Sequence, residues 1–334
     1  MIWDFYVKID VLSDTSAVYL PYCLFSGGNA VVPTETEQDS PYRPFDSSQE
    51  PIFPPELIMR SGKFRNQNLV FRSENMTWFC PTSLDELLRL KSDYPDAKLV
   101  VGNTELGVEM KFKKMAYPTM IQSTKVPELN RINITEEGVC AGASVTLSSL
   151  ENTLLDMGSN QKTKIYDQII QMLRWFAGKQ IRNVGSIGGN IITGSPISDM
   201  NPIFMASNCT LTLASTDKTR VVKLDQSFYT GYRKTILEPD EILLNITIPF
   251  TEMNEEFIAF KQARRRDDDI AIVNGAFYYK LNENKTIADA RMAFGGLSFV
   301  TKMAQNTAHF LRGKPWSQQT FEEAMDILLE GDFI

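Results

Sequence analysis

GKQIRNVGSIGGNIITGSPISDMNP, Gly178 to Pro202, carries five of the 19 glycines in this 334-residue chain, a density at which no regular helix or strand is expected. Within it, Gly185, Gly188, Gly189 and Gly194 are interleaved with Ser186, Asn190 and Asp199. Glycine lets a backbone approach a ligand closely, and hydroxyl, amide and carboxylate groups supply polar contacts. NVGSIGGN, Asn183 to Asn190, does not match G-x-G-x-x-G between a strand and a helix, nor the Walker pattern. A standard Rossmann site or a phosphate-transfer loop is therefore disfavoured. A dinucleotide held between this loop and another glycine-bearing turn stays open. Asp199 is either an acceptor for ribityl or ribose hydroxyls or the head of an Asx turn.

A second turn of this kind lies upstream. TSLDELLRLKSDYPDA predicts a helix, because Ser83 and Glu86 form a capping box, leucines recur at helical spacing and Pro95 ends the run. KLVV then reads as a buried strand that delivers GNTELG, a small polar turn. Successive amides at Gly102, Asn103 and Thr104 can form an anion-binding nest. An ordinary tight turn is the plainer account of the same residues.

Between the two turns, Ser148 with Glu151 predicts another capped helix. Ile165, Ile169, Met172, Leu173 and Phe176 recur at helical intervals over Lys164 to Phe176. Phe176, just before the glycine-rich stretch, either packs in a core or offers its ring to a flavin. Downstream, TLTLA, TRVVKL, EILLNITIP, FIAFKQ, AIVNGAFYY and IADARMAF predict antiparallel sheet. Lys261 lies in one of these strands, just before RRRDDD, Arg264 to Asp269. Those six charges either pair with one another in water or form a mobile loop over a cofactor. Helical periodicity returns over Phe299 to Leu311 and over Thr320 to Leu329, the latter begun by Thr320 with Glu323. Residues 1–50 read as an irregular tail, and the three prolines of QEPIFPPEL, Gln49 to Leu57, as an interdomain connector.

Composition narrows the function. Hydrophobic residues make up 43% and charged residues 22%, as in a folded globular protein. A net charge of -7 argues against nucleic acid as the main partner. With no apolar run of membrane-spanning length and no signal-peptide pattern at the start, no membrane role and a cytosolic setting are expected. Cys23, Cys80, Cys140 and Cys209 are dispersed without metal-site spacing and read as reduced thiols. A single histidine, His309, weighs against a catalytic triad or a multi-histidine metal site. No metal and no catalytic acid or base is expected, so the chemistry is assigned to a bound cofactor.

EPIFPPEL, DAKLVVGNTELGVEMKFK, RWFAGKQIRNVGSIGGNIITGSPISDMNPIFMAS and AFKQARRRDDDIAIV together resemble the flavin module of the xanthine dehydrogenases, in the molybdenum hydroxylase group, over roughly residues 42–330. The resemblance implies an α+β fold. A PCMH-type FAD-binding domain of two α+β subdomains, similar to vanillyl-alcohol oxidase, would span residues 51–250. A C-terminal antiparallel sheet with helices, like that of CO dehydrogenase flavoproteins, would span 251–334.

The resemblance also implies a first FAD loop of Leu99, Val100, Val101, Gly102, Asn103, Thr104, Glu105 and Leu106. Further FAD contacts would come from Phe176, Ala177, Ser186, Gly188, Gly189, Asn190, Asp199, Leu243 and Lys261. Electrons would arrive from iron–sulfur centres and leave by hydride transfer from the flavin to NAD. Apart from the resemblance, charge and aromatic placement suggest that Arg264 to Arg266, opposite Arg174 and Trp175, hold their loop by cation–π contact and bear on whether NAD or oxygen is the acceptor. RRRDDD stands where the family more often mixes an acidic residue with two arginines. The two-iron, two-sulfur clusters and the molybdopterin belong to domains outside this sequence, so a fragment or a separately encoded subunit is expected. In the complete enzyme the expectations are purine oxidation, a homodimer, and a cytoplasmic location with the peroxisome as alternative. The other readings are an FAD-binding or subunit-binding remnant, an aldehyde oxidase-like subunit and a stand-alone diaphorase.

Overall fold

A computed structural model describes residues 46, 48, 54–65 and 67–332. The tail reading, Cys23 and the start of QEPIFPPEL lie outside these residues. Helix α1 (Pro55–Arg65) begins on the last proline of that segment, so Pro55 to Leu57 are helical and not an extended connector. Proline suits a first helical turn, where its missing N–H would have no partner. Strands β1 (Leu69–Arg72) and β2 (Thr77–Cys80) form an antiparallel pair. Helix α2 (Leu84–Asp93) is capped by Ser83, whose hydroxyl accepts from the Glu86 amide, and it buries Leu87 and Leu90. Next come β3 (Lys98–Val100), α3 (Leu106–Phe112), β4 (Thr119–Gln122) and α4 (Pro127–Asn130). Central β4 runs parallel to both β2 and β3, giving the order β1-β2-β4-β3 and delivering the turn at Gly102 from the end of β3.

The second sheet starts with β5 (Ile132–Ile134) and β6 (Gly138–Gly142). Helices α5 (Leu147–Asp156) and α6 (Lys164–Trp175) follow. The cap of α5 is Thr146, which accepts from the Ser149 amide, and not Ser148, which lies inside the helix with its hydroxyl 2.7 Å from Asn183 Oδ1. Gly178 to Pro202 differs from expectation: it contains α7 (Lys179–Arg182), α8 (Ile187–Thr193) and the start of α9 (Asn201–Ala206). Each helix is short, so the glycines interrupt the helical conformation without abolishing it. Strands β7 (Thr210–Ala214) and β8 (Thr219–Lys223), the small hairpin β9 (Tyr229–Gly231) and β10 (Lys234–Thr235), and β11 (Ile242–Pro249) complete the region. The sheet is antiparallel in the order β5-β6-β11-β7-β8.

The third sheet is antiparallel, with β12 (Glu255–Ala263), β13 (Ala271–Leu281), β14 (Ile287–Gly295) and β15 (Lys302–Met303) in sequence order. Helix α10 (Gln305–Leu311) is shorter than the periodicity suggested, because residues 302–303 pair with β14. Helix α11 (Gln318–Ile327) is capped by Ser317, accepting from the Thr320 amide, and not by Thr320. The α+β class and the C-terminal antiparallel sheet with helices are as expected.

One continuous core joins the sheets: Ile121, Leu150, Ile169, Leu173, Phe204 and Ile246 are fully buried in it, and Phe257, Ala276 and Tyr278 of the third sheet enter the same cluster. Burial of each large side chain contributes about 1.5–3 kcal/mol, so the loops between α6 and β7 sit on a firm base. A smaller cluster of Ile287, Met292, Phe294, Ala308 and Leu311 lies under α10 and α11.

Candidate functional site

The two glycine-bearing turns meet. A Cβ placed on Gly102 would fall 2.1 Å from the Val184 carbonyl oxygen and 2.9 Å from the Gly185 nitrogen. A Cβ on Gly185 would in turn lie 3.8 Å from Thr104 Oγ1. The bare side of Gly102 therefore faces the second turn, and its freedom from a side chain serves backbone-to-backbone contact between the turns. Leu99 is half-buried, Val100 is buried and Val101 is half-buried as β3 runs out. Asn103 takes the left-handed conformation (φ 56°), and its carbonyl accepts from the Gly107 amide at 3.2 Å. Glu105 occupies the cap position of α3 and Leu106 its first residue. Among the described residues, the amides of Gly102, Asn103 and Thr104 find no acceptor within the chain. Three successive unspent donors are what an anion nest is built from.

The second turn is built differently. Ser186 caps α8, its hydroxyl accepting from the Gly189 amide at 3.0 Å. The Gly188 amide donates to Ala143 at 3.0 Å and the Asn190 amide to Ser186 at 3.1 Å. The bare side of Gly188 is pressed against Ala143, where a Cβ would meet that residue's Cβ and carbonyl oxygen at 2.6 Å. Ala143 thus forms the floor under this turn, and its neighbour Ser144 pairs through its hydroxyl with Ser123 at 2.9 Å. The small-residue run GVCAGAS before α5 was the available signal for them.

A chain of hydrogen bonds runs from the second turn into the third sheet. Asn190 donates to Asn201 Oδ1 and accepts from the Ser198 hydroxyl, each at 3.0 Å. Asn274 of β13 donates to the Ser198 carbonyl at 3.0 Å and to Asp199 Oδ1 at 3.4 Å. Lys261 Nζ donates to Asp199 Oδ2 at 2.6 Å and to the Trp175 carbonyl at 3.0 Å. Asp199 and Lys261 are therefore one another's partners, with side chains only 9% and 3% exposed. Burial pushes the Asp199 carboxyl above its ordinary range, with Lys261 and Asn274 pulling the other way. Asn201 Nδ2 and Asn274 Oδ1 are buried without a partner. Sequence reading passed over Ser198, Asn201 and Asn274, although an asparagine inside the apolar strand AIVNGAFYY is itself unusual.

Phe176 follows α6, half-buried against the main core, and Ala177 is in the left-handed region (φ 42°). Arg182 holds both carbonyls, donating to Phe176 at 2.8 Å and also to Ala177. Leu243 is 3% exposed in the core, paired across the sheet with Leu213, and does not join the polar chain. Trp175, Lys261, Gln262, Ala263 and Arg264 to Arg266 line an open cleft of about 250 Å³. Arg265 is tied to Asp269 at 3.4 Å on the surface. The cation–π contacts among the described residues lie elsewhere, so the Arg174–Trp175 pair does not grip the arginines in this way. Also among the described residues, no group of three or more histidines, cysteines or carboxylates is placed to hold a metal, and no helix is long and apolar enough to cross a membrane.

Comparison with known proteins follows this geometry. Residues 72–251 match the family described as FAD binding domain in molybdopterin dehydrogenase, and residues 258–331 match the CO dehydrogenase flavoprotein C-terminal domain. The xanthine dehydrogenase/oxidase of Gallus gallus is 45% identical over 293 residues, 86% of this chain. The xanthine dehydrogenase of Drosophila pseudoobscura pseudoobscura is 46% identical over 297 residues, again 86% of the chain. The chain spans 22% of the length of each of these relatives. Among solved structures, a carbon monoxide dehydrogenase from Hydrogenophaga pseudoflava superposes with a TM-score of 0.69 at 23% identity, over 77% of this chain and 86% of that one. Quinoline 2-oxidoreductase from Pseudomonas putida 86 does so with a TM-score of 0.66 at 24% identity, over 78% and 88%. These structural likenesses establish the shared fold.

Proposed function

The chain belongs to the family of FAD-binding domains of molybdopterin dehydrogenases, and we propose that it is the flavin station of a xanthine dehydrogenase-like oxidoreductase. In this role it takes electrons from iron–sulfur centres and passes them to NAD during purine oxidation. The likeness to xanthine dehydrogenases at 45% and 46% identity supports this assignment. The partners are iron–sulfur and molybdopterin domains of the complete enzyme, taken as a homodimer. The flavin division is taken as residues 51–250 and the C-terminal division as 251–334.

One observation carries the FAD assignment. The amides of Gly102, Asn103 and Thr104 are unspent where the first turn abuts Val184 and Gly185 of the second. That arrangement fits a dinucleotide diphosphate, whose negative charge main-chain donors stabilise without a cation. When bound, FAD supplies the redox chemistry, exchanging a hydride with nicotinamide. The protein's part is to hold and shield the cofactor. The first turn binds the diphosphate, and Ser186 and Asn190 keep the second turn in place behind it. The Asp199–Lys261 pair sets a buried ammonium at the wall of the cleft. Phe176 contributes an aromatic surface, and Leu243 stiffens the sheet beneath. Arg264 and Arg266 line the cleft beside the Arg265–Asp269 pair, and their guanidinium groups are suited to meet an anionic dinucleotide there.

Two measurements test the proposal. The purified chain should show flavin absorbance, or acquire it with added FAD, and it should then oxidise NADH with an artificial electron acceptor. A colourless protein that stays so with FAD removes the cofactor assignment. Bound FAD without NADH oxidation removes NAD. Changing Arg266 to Ala tests the role of the arginine cleft in acceptor choice, and unaltered NAD and oxygen rates would remove that role.

A further inference from the structure

The hairpin of β9 and β10 touches both the first glycine-bearing turn and α8, the helix that grows from the second, although nothing in the proposed chemistry uses it. Arg233, at its tip, donates to Glu105 in the first turn and lies 3.4 Å from Glu109 Oε1 one turn further along α3. Glu109 is itself held by the Tyr117 hydroxyl at 2.6 Å. At the other end of the hairpin, the buried hydroxyl of Tyr229 donates to the Ile191 carbonyl of α8 at 3.1 Å. Gly194, which ends α8 in the left-handed conformation, is packed so closely that a Cβ there would meet the Tyr229 ring at 3.2 Å and Arg233 Cα at 3.5 Å. Arg233 also has a left-handed backbone (φ 55°), costly for a residue with a side chain and sustained only where its surroundings impose it.

We propose that this hairpin is a brace, with Arg233 and Tyr229 as positioning residues that hold the first turn and α8 at the separation a dinucleotide diphosphate requires. The inference rests on the FAD assignment above for its functional meaning, but the brace itself is a property of the protein without cofactor. Arg233 suits the task because one rigid guanidinium engages two carboxylates on successive turns of α3. Fixing the two turns before the ligand arrives reduces the ordering cost of binding.

The test uses the whole chain, first without flavin. Hydrogen exchange at Gly107 and Glu109 reports on the first turn, and exchange at Asn190 and Gly194 on α8, because each amide is bonded within its own turn. In Arg233→Gln these four amides are expected to exchange about tenfold faster while β12 to β14 exchange as in wild type, and FAD affinity is expected to fall about tenfold as the preorganisation is lost. Arg233→Lys, which keeps the charge and loses the fork, should fall between the two. Unchanged exchange at both turns would overturn the brace, and so would equal acceleration throughout β12 to β14, which signifies general destabilisation. Should Arg233→Gln not fold, Tyr229→Phe removes a single hydroxyl. Faster exchange at Asn190 and Gly194 then supports the brace, and unchanged exchange overturns it. If wild type takes up no FAD, the cofactor assignment fails, and exchange alone decides the brace.

Discussion

The two turns look alike in sequence, each a glycine followed by small polar residues, yet the structure uses them in opposite ways. At Gly102 to Thr104 the amides have no acceptor among the described residues and the glycine's bare side is consumed by contact with Val184. At Ser186 to Asn190 the amides of Gly188, Gly189 and Asn190 are consumed inside the protein, and Gly188 is pressed onto Ala143. One turn offers donors and the other is the rigid wall that holds them in place. In both, glycine answers first to packing, so a glycine-rich stretch marks close approach without saying whether ligand or protein approaches.

The largest expected effect lies behind the wall. Lys261→Met would leave Asp199 buried without its counter-ion, and breaking such a pair costs about 3–5 kcal/mol, measured as a fall in denaturant midpoint. Changing Asp199 to Leu in the same protein should recover much of that loss. A double variant as unstable as the single one would show that the pair is not a unit.

Gly102→Ala comes next. Its new methyl would meet backbone that cannot swing aside, so we expect a loss of about 3 kcal/mol, the upper end of ordinary overpacking, together with loss of FAD uptake. Gly189→Ala sharpens the contrast, because among the described residues the atom outside the helix backbone that its methyl would meet is the Ser186 hydroxyl at 2.9 Å. The gain in helix propensity offsets that crowding, and stability should stay within about 1 kcal/mol of wild type. Ser186→Ala removes the cap of α8 and should cost about 1 kcal/mol, read from the same unfolding curves.

Much of the fold was legible. Ser83 capped its helix, the apolar period from Ile165 to Leu173 gave α6, and the alternating runs from TLTLA to IADARMAF gave strands. The misassigned caps have a common cause. Around Thr146 and Ser148, and around Ser317 and Thr320, hydroxyl residues stand close enough in sequence that either could cap, and in each case the earlier one does so, with its backbone still extended (ψ 152° and 158°). The meeting of the two turns could be suspected from sequence, but their division of labour could not. Which amide is spent depends on Ala143, 45 residues before Gly188 in the chain and adjacent only after folding. The same holds for Asp199 and Lys261, each assigned to FAD through the resemblance with no sign in the sequence that they pair.

Acidity separates the two turns by a smaller margin. The Tyr117 hydroxyl, then Lys113 and Arg233, hold the Glu109 carboxyl below its ordinary range. A depressed folded-state value means that its contribution is present above the unfolded carboxylate pKa of about 4.3 and is lost as pH falls through the folded value. Protection at Gly107 and Glu109, corrected for the intrinsic slowing of amide exchange in acid, should therefore fall on acidification below about pH 4 before protection at Asn190 does. Simultaneous loosening would contradict this.

The most direct test is titration of the flavin-free chain and of Gly102→Ala with FAD, followed by quenching of flavin fluorescence at a temperature where both are folded. If the abutting turns form the diphosphate site, the wild-type chain takes up one FAD and the variant takes up none. Equal binding by the two proteins, or none by either, would contradict it.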